Sequence, residues 1–453
     1  MAGALRARVV RVVTAWSPQE RDAVLYACSA LFAVITARTS SIALYRQWGE
    51  LATVPYAVGG VASALLARRQ RHAADPWTPP VDGDRHWHWT TPRMLVFLAV
   101  LVGATLMPLS LEILWQAQGG GTTHLQPEVA VVMDSGKRLA HRQDPYQLVD
   151  GSRGQVHAPA GQPAYDVYNP YLPLMSLFGL PSSTKAPPRL TDARVAFSLI
   201  TIVVVIAALA LCRGPTGPRL LTLQSMTVLP TAALPLATGG DDLPVVAFLL
   251  LGLILAQRRR PLAAGFALGI AASMKITAWP LALLAFLVAR DRQGRTGRRP
   301  ALLLLGGMAA VTVPVILPTA LSNVPAFMDN VVRFPLGLAG IRSPAASPLV
   351  GHLVVSVFPG AHHLFPLVVA GAGVVALGYV LLRRRPRTPA AVARLVAWAM
   401  TVAILLAPAT RIGYFLYPID LFVWAWLLDS EDTAHASVVA VEPPLASVET
   451  EAA

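Results

Sequence analysis

The sequence predicts an all-α polytopic membrane protein, a bundle of roughly 11–13 transmembrane helices at about 20 residues per span. Three observations predict it. Of the 453 residues, 55% are hydrophobic and only 13% charged, where soluble domains carry about 25% charged residues. The apolar residues fall in long runs. The basic residues sit in short clusters between those runs, with no long basic arm. A soluble enzyme, a disordered chain and a disulfide scaffold are excluded. The net charge of +13, from 37 Lys and Arg against 24 Asp and Glu, then reads as cytoplasmic loops facing acidic head groups. Nucleic acid is not expected as a partner.

The runs cover residues 22–38, 50–67, 93–115, 193–212, 220–238, 243–257, 262–289, 301–319, 350–382, 391–409 and 412–428. The first two are short, and a partly interfacial position is open for them. The run 262–289 is flanked by Arg258, Arg259 and Arg260 on one side and Arg290, Arg292 and Arg295 on the other. Basic flanks belong on the cytoplasmic side, so this run should fold back as two short helices with Lys275 near the bend. The run 350–382 holds Pro359, Gly360, His362 and His363, and a break is expected there too. With this threading the cytoplasmic segments hold most of the Lys and Arg, which predicts a plasma-membrane protein with both termini inside. Residues 1–92 supply two extra helices and a cytoplasmic loop, 93–428 the main transmembrane domain, and 429–453 an acidic, disordered cytoplasmic tail. No cleaved signal peptide is expected, and Cys28 and Cys212, both in apolar runs, give neither a disulfide nor a metal site.

The longest polar stretch, 116–192, falls outside. Within PEVAVVMDSGKRLAHRQDPY, Val129, Val132, Met133, Leu139 and Ala140 recur near helical spacing, with Asp134, Lys137, Arg138 and His141 on the other face. This predicts an amphipathic helix along the membrane surface, ended by the turn at Asp144–Tyr146 because proline cannot continue a helix. YDVYNPYLPLMSLFGLP predicts a re-entrant or interfacial element.

A span followed by an outside loop with an early Asp and a later QDPY turn resembles the GT-C superfamily of membrane glycosyltransferases. The stretches LATGGDDLPVVAFLLLGLILAQRRRPLAAGFALGIAASMKITAWPLALLAFL, RFPLGLAGIRSPAASPLVGHL and RIGYFLYPIDL look like glycosyltransferase family 87, the polyprenol-phosphate-mannose-dependent mannosyltransferases of actinobacteria. The likeness covers about residues 93–428. It implies a GT-C-like helical bundle and inverting transfer of a sugar, mannose by expectation, from a polyprenyl-phosphate donor to a lipid or glycan hydroxyl of the cell envelope. The expected partners are that donor, that acceptor and membrane lipids, with no cofactor and no metal.

Such chemistry needs a carboxylate to take the acceptor proton and cations to hold the departing phosphate. Asp134 matches the family's early-loop Asp and is the expected base. The alternative is an i,i+4 pair with Arg138. Glu128 and Asp144 are lesser candidates for the base. Asp241 and Asp242 form an acidic pair at an outside turn, suited to a divalent ion or an acceptor hydroxyl, though with no further ligands to make a metal site, or to capping the helix that carries Pro244. Lys275 is a lone cation between apolar flanks. It is a candidate phosphate ligand or else the partner of a carboxylate. Arg411, Arg333 and Arg342 are further phosphate candidates or head-group anchors. Tyr146 and His352 are candidates for the substrate pocket.

A transporter or flippase is the runner-up reading. Its marks would be paired repeats and mid-membrane charges in both halves, and only Lys275 fits. A non-enzymatic scaffold is third.

Overall fold

The computed structural model describes residues 16–73, 91–119, 124–148, 164–213, 215–291, 298–336, 338–339, 341, 345–358, 360 and 364–441. Among them the protein is all-helical, and its one pairing of extended backbone is an isolated bridge between Ala346 and Thr410. The helices are α1 (Pro18–Thr39), α2 (Ala43–Ala73), α3 (Thr91–Leu101, continued through a π-turn at Val102–Leu106 into Met107–Ala117), α4 (Pro127–Ala140), α5 (Ala193–Leu211), α6 (Thr216–Thr227), α7 (Pro230–Thr238) and α8 (Asp242–Gln257). They continue with α9 (Pro261–Met274), α10 (Trp279–Asp291), α11 (Arg298–Ser322), α12 (Val350–Val357), α13 (Leu364–Arg383), α14 (Pro389–Leu406) and α15 (Leu416–Val441). Nine helical segments of the described residues are long and apolar enough to cross a membrane, while α8, α9 and the α10 segment are shorter apolar helices. The protein is therefore a multi-pass membrane protein.

The expected breaks are present. Backbone at Lys275 is extended (φ −151°, ψ 141°), so the long run divides into α9 and α10 at that residue. The indole of Trp279 donates to the Ala272 carbonyl at 2.9 Å across the break. The run 350–382 divides into α12 and α13; Pro359, His362 and His363 lie outside the described residues. One break was not anticipated: Pro230 starts a new helix, and 220–238 becomes α6 and α7. At the C-terminal end, α15 continues past Asp429 to Val441, where the sequence suggested a disordered tail. Residues 442–453 lie outside the described residues.

The first two helices are full-length elements of 22 and 31 residues, longer than their apolar runs. In α1 the buried stripe is Gln19, Asp22, Tyr26, Ser29, Ala33 and Thr36, while Leu31, Phe32, Val34 and Ile35 face outward. Apolar residues outside and polar residues inside is the pattern of a helix in lipid whose backbone is satisfied internally. Arg93 pairs with Asp22 (2.5 and 3.0 Å), and Gln224 of α6 also donates to Asp22 (3.1 Å). Removing one partner of a buried pair costs about 3–5 kcal/mol. The indole of Trp48 donates to Ala104 in the π-turn at 3.0 Å, and Thr105 donates to Thr227 at 2.9 Å. These helices share a core with α6 and α7 through Tyr26, Trp48, Tyr56, Phe97, Leu220 and Ala233.

The larger core joins α4, α5, α8, α9, α10, α14 and α15. Helix α4 forms where expected, and its buried residues are Val129, Val132, Ser135 and Gly136. That face is covered by protein: it packs on a 3-10 helix, Pro173–Ser183, which the YLPLMSLFGLP segment forms. The contact is glycine on glycine. A Cβ on Gly136 would lie 2.2 Å from the Gly179 carbonyl carbon, and one on Gly179 would lie 2.0 Å from the Val132 oxygen. Helix α13 is the opposite case, with no buried residue along its length.

Candidate active site

Four separate segments meet at one end of the bundle: the first turn of α4, the Gly239–Asp242 turn that starts α8, the Lys275 break, and the turn before α15. Each contributes charge. Lys275 Nζ donates to Asp241 Oδ2 at 2.7 Å and to Asp242 Oδ1 at 2.6 Å. The Tyr417 hydroxyl donates to Asp242 Oδ1 at 2.5 Å, which leaves Thr277 to donate to Tyr417 at 2.7 Å. Lys275 also lies 5.3 Å from the centre of the Tyr171 ring. Asp241 occupies the N-cap position of α8 without capping it by its side chain; the carboxylate is turned to Lys275 instead.

The second pair is Glu128 and Arg411. Glu128 sits in the first turn of α4, where the helix dipole favours an acid. It accepts from Arg411 Nη1. Among the described residues this is the one side-chain hydrogen bond of Arg411, whose guanidinium carries five donors. Exposure separates the two cations: Arg411 is 36% exposed and Lys275 13%. Burial pulls the Arg411 pKa down, but Glu128 and Tyr414 offset this and the net direction is up. Arg411 is held by the loop before α12: Ser347 N–H donates to the Thr410 carbonyl at 3.0 Å, and Ile412 N–H to Ser347 Oγ at 3.1 Å.

A fourth carboxylate completes the group. Asp166, in a short 3-10 turn at Ala164–Val167, has a raised pKa because it is partly buried and near Glu128, with Arg411 opposing. The cluster thus holds Glu128, Asp166, Asp241 and Asp242 against Lys275 and Arg411. Tyr171 backs it, its hydroxyl pKa pushed up by burial and then by Asp241.

The structure brings together Asp241, Asp242, Lys275 and Arg411 of the residues singled out by sequence. It leaves others elsewhere. Asp134 is exposed on α4, about 9 Å along the helix from Glu128 and roughly 120° around it by helix geometry. Among the described residues its carboxylate has no hydrogen-bond or ion-pair partner, and Arg138 donates to the Asp144 carbonyl at 2.7 Å instead. Tyr146 is fully buried and its hydroxyl donates to the Tyr171 carbonyl at 2.7 Å, so it props the site from beneath. His352 Nδ1 lies 3.1 Å from the Pro408 carbonyl, beside the strap that holds Arg411. Arg333 is exposed at the end of a π-helix, Met328–Arg333, whose Asn330 fixes the backbone of Asn169 and Gln147. Arg342 lies outside the described residues. Asp166, Thr277, Tyr171, Tyr414 and Tyr417 were not singled out. For the tyrosines and Asp166 the signal was an acid among tyrosines in YDVYNPY and YFLYPID, which alone does not distinguish a site from interface anchors; Thr277, beside the Lys275 break, had none.

The sequence model of glycosyltransferase family 87 matches residues 170–408, more than half of the chain. The chain belongs to glycosyltransferase family 87. No curated protein and no solved structure matches. As a family 87 member it is a membrane glycosyltransferase, and its apolar multi-span bundle is consistent with the GT-C fold. Within the family 87 match lie Asp241, Asp242 and Lys275. Glu128 and Asp166 precede it and Arg411 follows it.

Proposed function

We propose that this enzyme moves a hexose, mannose by family resemblance, from a polyprenyl-phosphate donor to a hydroxyl of a lipid or glycan acceptor, with inversion, on the extracytoplasmic side. The observation that carries the reading is the convergence of Glu128, Arg411 and the Lys275–Asp241–Asp242 group from four distant segments of a lipid-embedded bundle. A donor with an isoprenoid tail keeps that tail in lipid, so its head must meet the enzyme at the end of a bundle.

The roles follow from the contacts. The acceptor oxygen attacks the anomeric carbon as the bond from that carbon to the phosphate oxygen breaks. Glu128 takes the acceptor proton. It stands on a rigid helix, and its pairing with Arg411 holds it at the site while leaving it 21% exposed. The phosphate leaves with its electron pair onto the donors of Arg411. Lys275 serves chiefly to neutralise Asp241 and Asp242, which then offer acceptor-side oxygens for sugar or acceptor hydroxyls. This reading moves the base from Asp134 to Glu128 and gives most of the phosphate to Arg411.

The test is sugar transfer from radiolabelled polyprenyl-phosphate mannose by membranes carrying the full chain. Glu128→Gln should lower transfer by about 100-fold or more, the usual worth of a general base. Asp134→Asn should stay within about twofold, as expected of an exposed residue outside the site. Wild-type transfer by Glu128→Gln, or loss with Asp134→Asn alone, would return the base to Asp134.

A further inference from the structure

The α1–α2 pair lies outside the matched segment, yet the first turn of α2 reaches the site. Tyr45, in the first turn of α2, accepts a hydrogen bond from Gln126 Nε2 at 2.6 Å. Its hydroxyl is within electrostatic reach of Glu128, Arg411, Asp241 and Tyr414. Gln126 is the N-cap residue of α4, two positions before Glu128, and makes no side-chain cap. Its side chain points the other way. It donates to Thr238 Oγ1 at 3.1 Å, and its backbone N–H donates to the Thr238 carbonyl at 3.1 Å. The next residue, Gly239, is so close that a Cβ there would lie 2.2 Å from Gln126 Oε1. Gln126 is therefore clamped between Tyr45 and the turn that carries Asp241 and Asp242. Tyr45 is itself fixed from below, since Trp48, Ala52 and Tyr56 on the same face of α2 are fully buried.

We infer that Tyr45 is a positioning residue for the transfer reaction, holding Glu128 against the Asp241–Asp242 turn through Gln126. The inference rests on the glycosyl-transfer reading above. It gives the N-terminal helix pair a part in catalysis: the first turn of α2 abuts the site and sets the distance between its two acidic groups. An orienting contact of this kind acts on the rate more than on ground-state binding, because it matters when the proton moves.

The full-length protein is assayed with polyprenyl-phosphate mannose as Tyr45→Phe, Gln126→Ala, the double variant and Tyr56→Phe. Tyr56 makes a comparable anchor from the same helix, donating to the Val228 carbonyl away from the site. The expected result is a kcat about tenfold lower in Tyr45→Phe with donor KM within twofold. The double variant should be no worse than Gln126→Ala, because the two act as one unit. Tyr56→Phe should keep its kcat even where its thermal stability falls. An unchanged kcat in Tyr45→Phe, or an equal fall in Tyr56→Phe, would overturn the positioning role while leaving the transfer reading intact. No transfer by the wild-type protein would overturn the transfer reading, and the positioning role with it.

Discussion

Both ends of the bundle carry buried ion pairs, but they are balanced differently. At the site end four carboxylates, Glu128, Asp166, Asp241 and Asp242, share Lys275 and Arg411. About 24 Å away by helix rise, at the other end of α8, Arg258 pairs with Glu431, which also accepts from the Arg213 N–H at 2.8 Å. Arg394 pairs there with Asp429, and Gln257 donates to Asp432 at 2.9 Å. This end is rich in arginine, and its acids join neighbouring helix ends. The site end is rich in acid and tyrosine hydroxyls and gathers segments far apart in the chain. An ion pair by itself therefore says little about function in this protein. Excess charge of one sign is what distinguishes the candidate site from the pairs at the other end.

Replacing Lys275 with Met breaks this contrast most strongly. It strands Asp241 and Asp242 without a counter-charge, and should cost about 3–5 kcal/mol. Arg258→Met at the other end should cost less, since Glu431 keeps the Arg213 N–H. Thermal unfolding of the purified protein, read side by side, checks the order. Equal losses would mean the two ends are the same kind of structure.

Arg411→Ala sharpens the contrast at the level of chemistry. Loss of a phosphate-stabilising donor should lower transfer by about 10²- to 10³-fold, with only a small change in melting because Arg411 is partly exposed. Arg394→Ala, which breaks a half-exposed pair at the basic end, should leave transfer unchanged.

The smallest expected effect is on pH dependence. Asp166 is raised by burial and by Glu128, so as pH falls it takes up its proton earlier than an ordinary carboxylate does. Its negative charge, and any contribution it makes to turnover, is present above that pKa and lost below it. In Asp166→Asn the acid limb of the rate profile should move to lower pH, with the plateau rate within about tenfold, the scale of one well-placed polar contact. An unmoved limb would put Asp166 outside the working site.

Much of the fold was open to reading from composition and charge. The break at Lys275 followed from arginines on both flanks of one apolar run, because basic loops resist translocation. The division near Pro359 followed from helix-breaking residues. The full length of α1 was hidden, since its buried face carries Gln19, Asp22, Ser29 and Thr36, which depress any count of apolar residues. The site was half visible. A lone Lys in an apolar run and an Asp-Asp pair before another run are conspicuous, and they prove to be partners. Glu128 ranked below Asp134 because Asp134 matches the early-loop Asp that the family resemblance implies; helical phase, which turns Glu128 to Arg411 and leaves Asp134 exposed, is visible only in the fold.

What the residues determined alone is that this chain is a stack of apolar helices joined by polar turns, since charge is costly in lipid. Which turns meet was decided by packing. Gly136 lies flush on Gly179, and that contact rotates α4 so that Glu128 faces Arg411 across 283 positions of sequence. Such a contact depends on the shapes of two distant surfaces, and no local pattern of residue types encodes it.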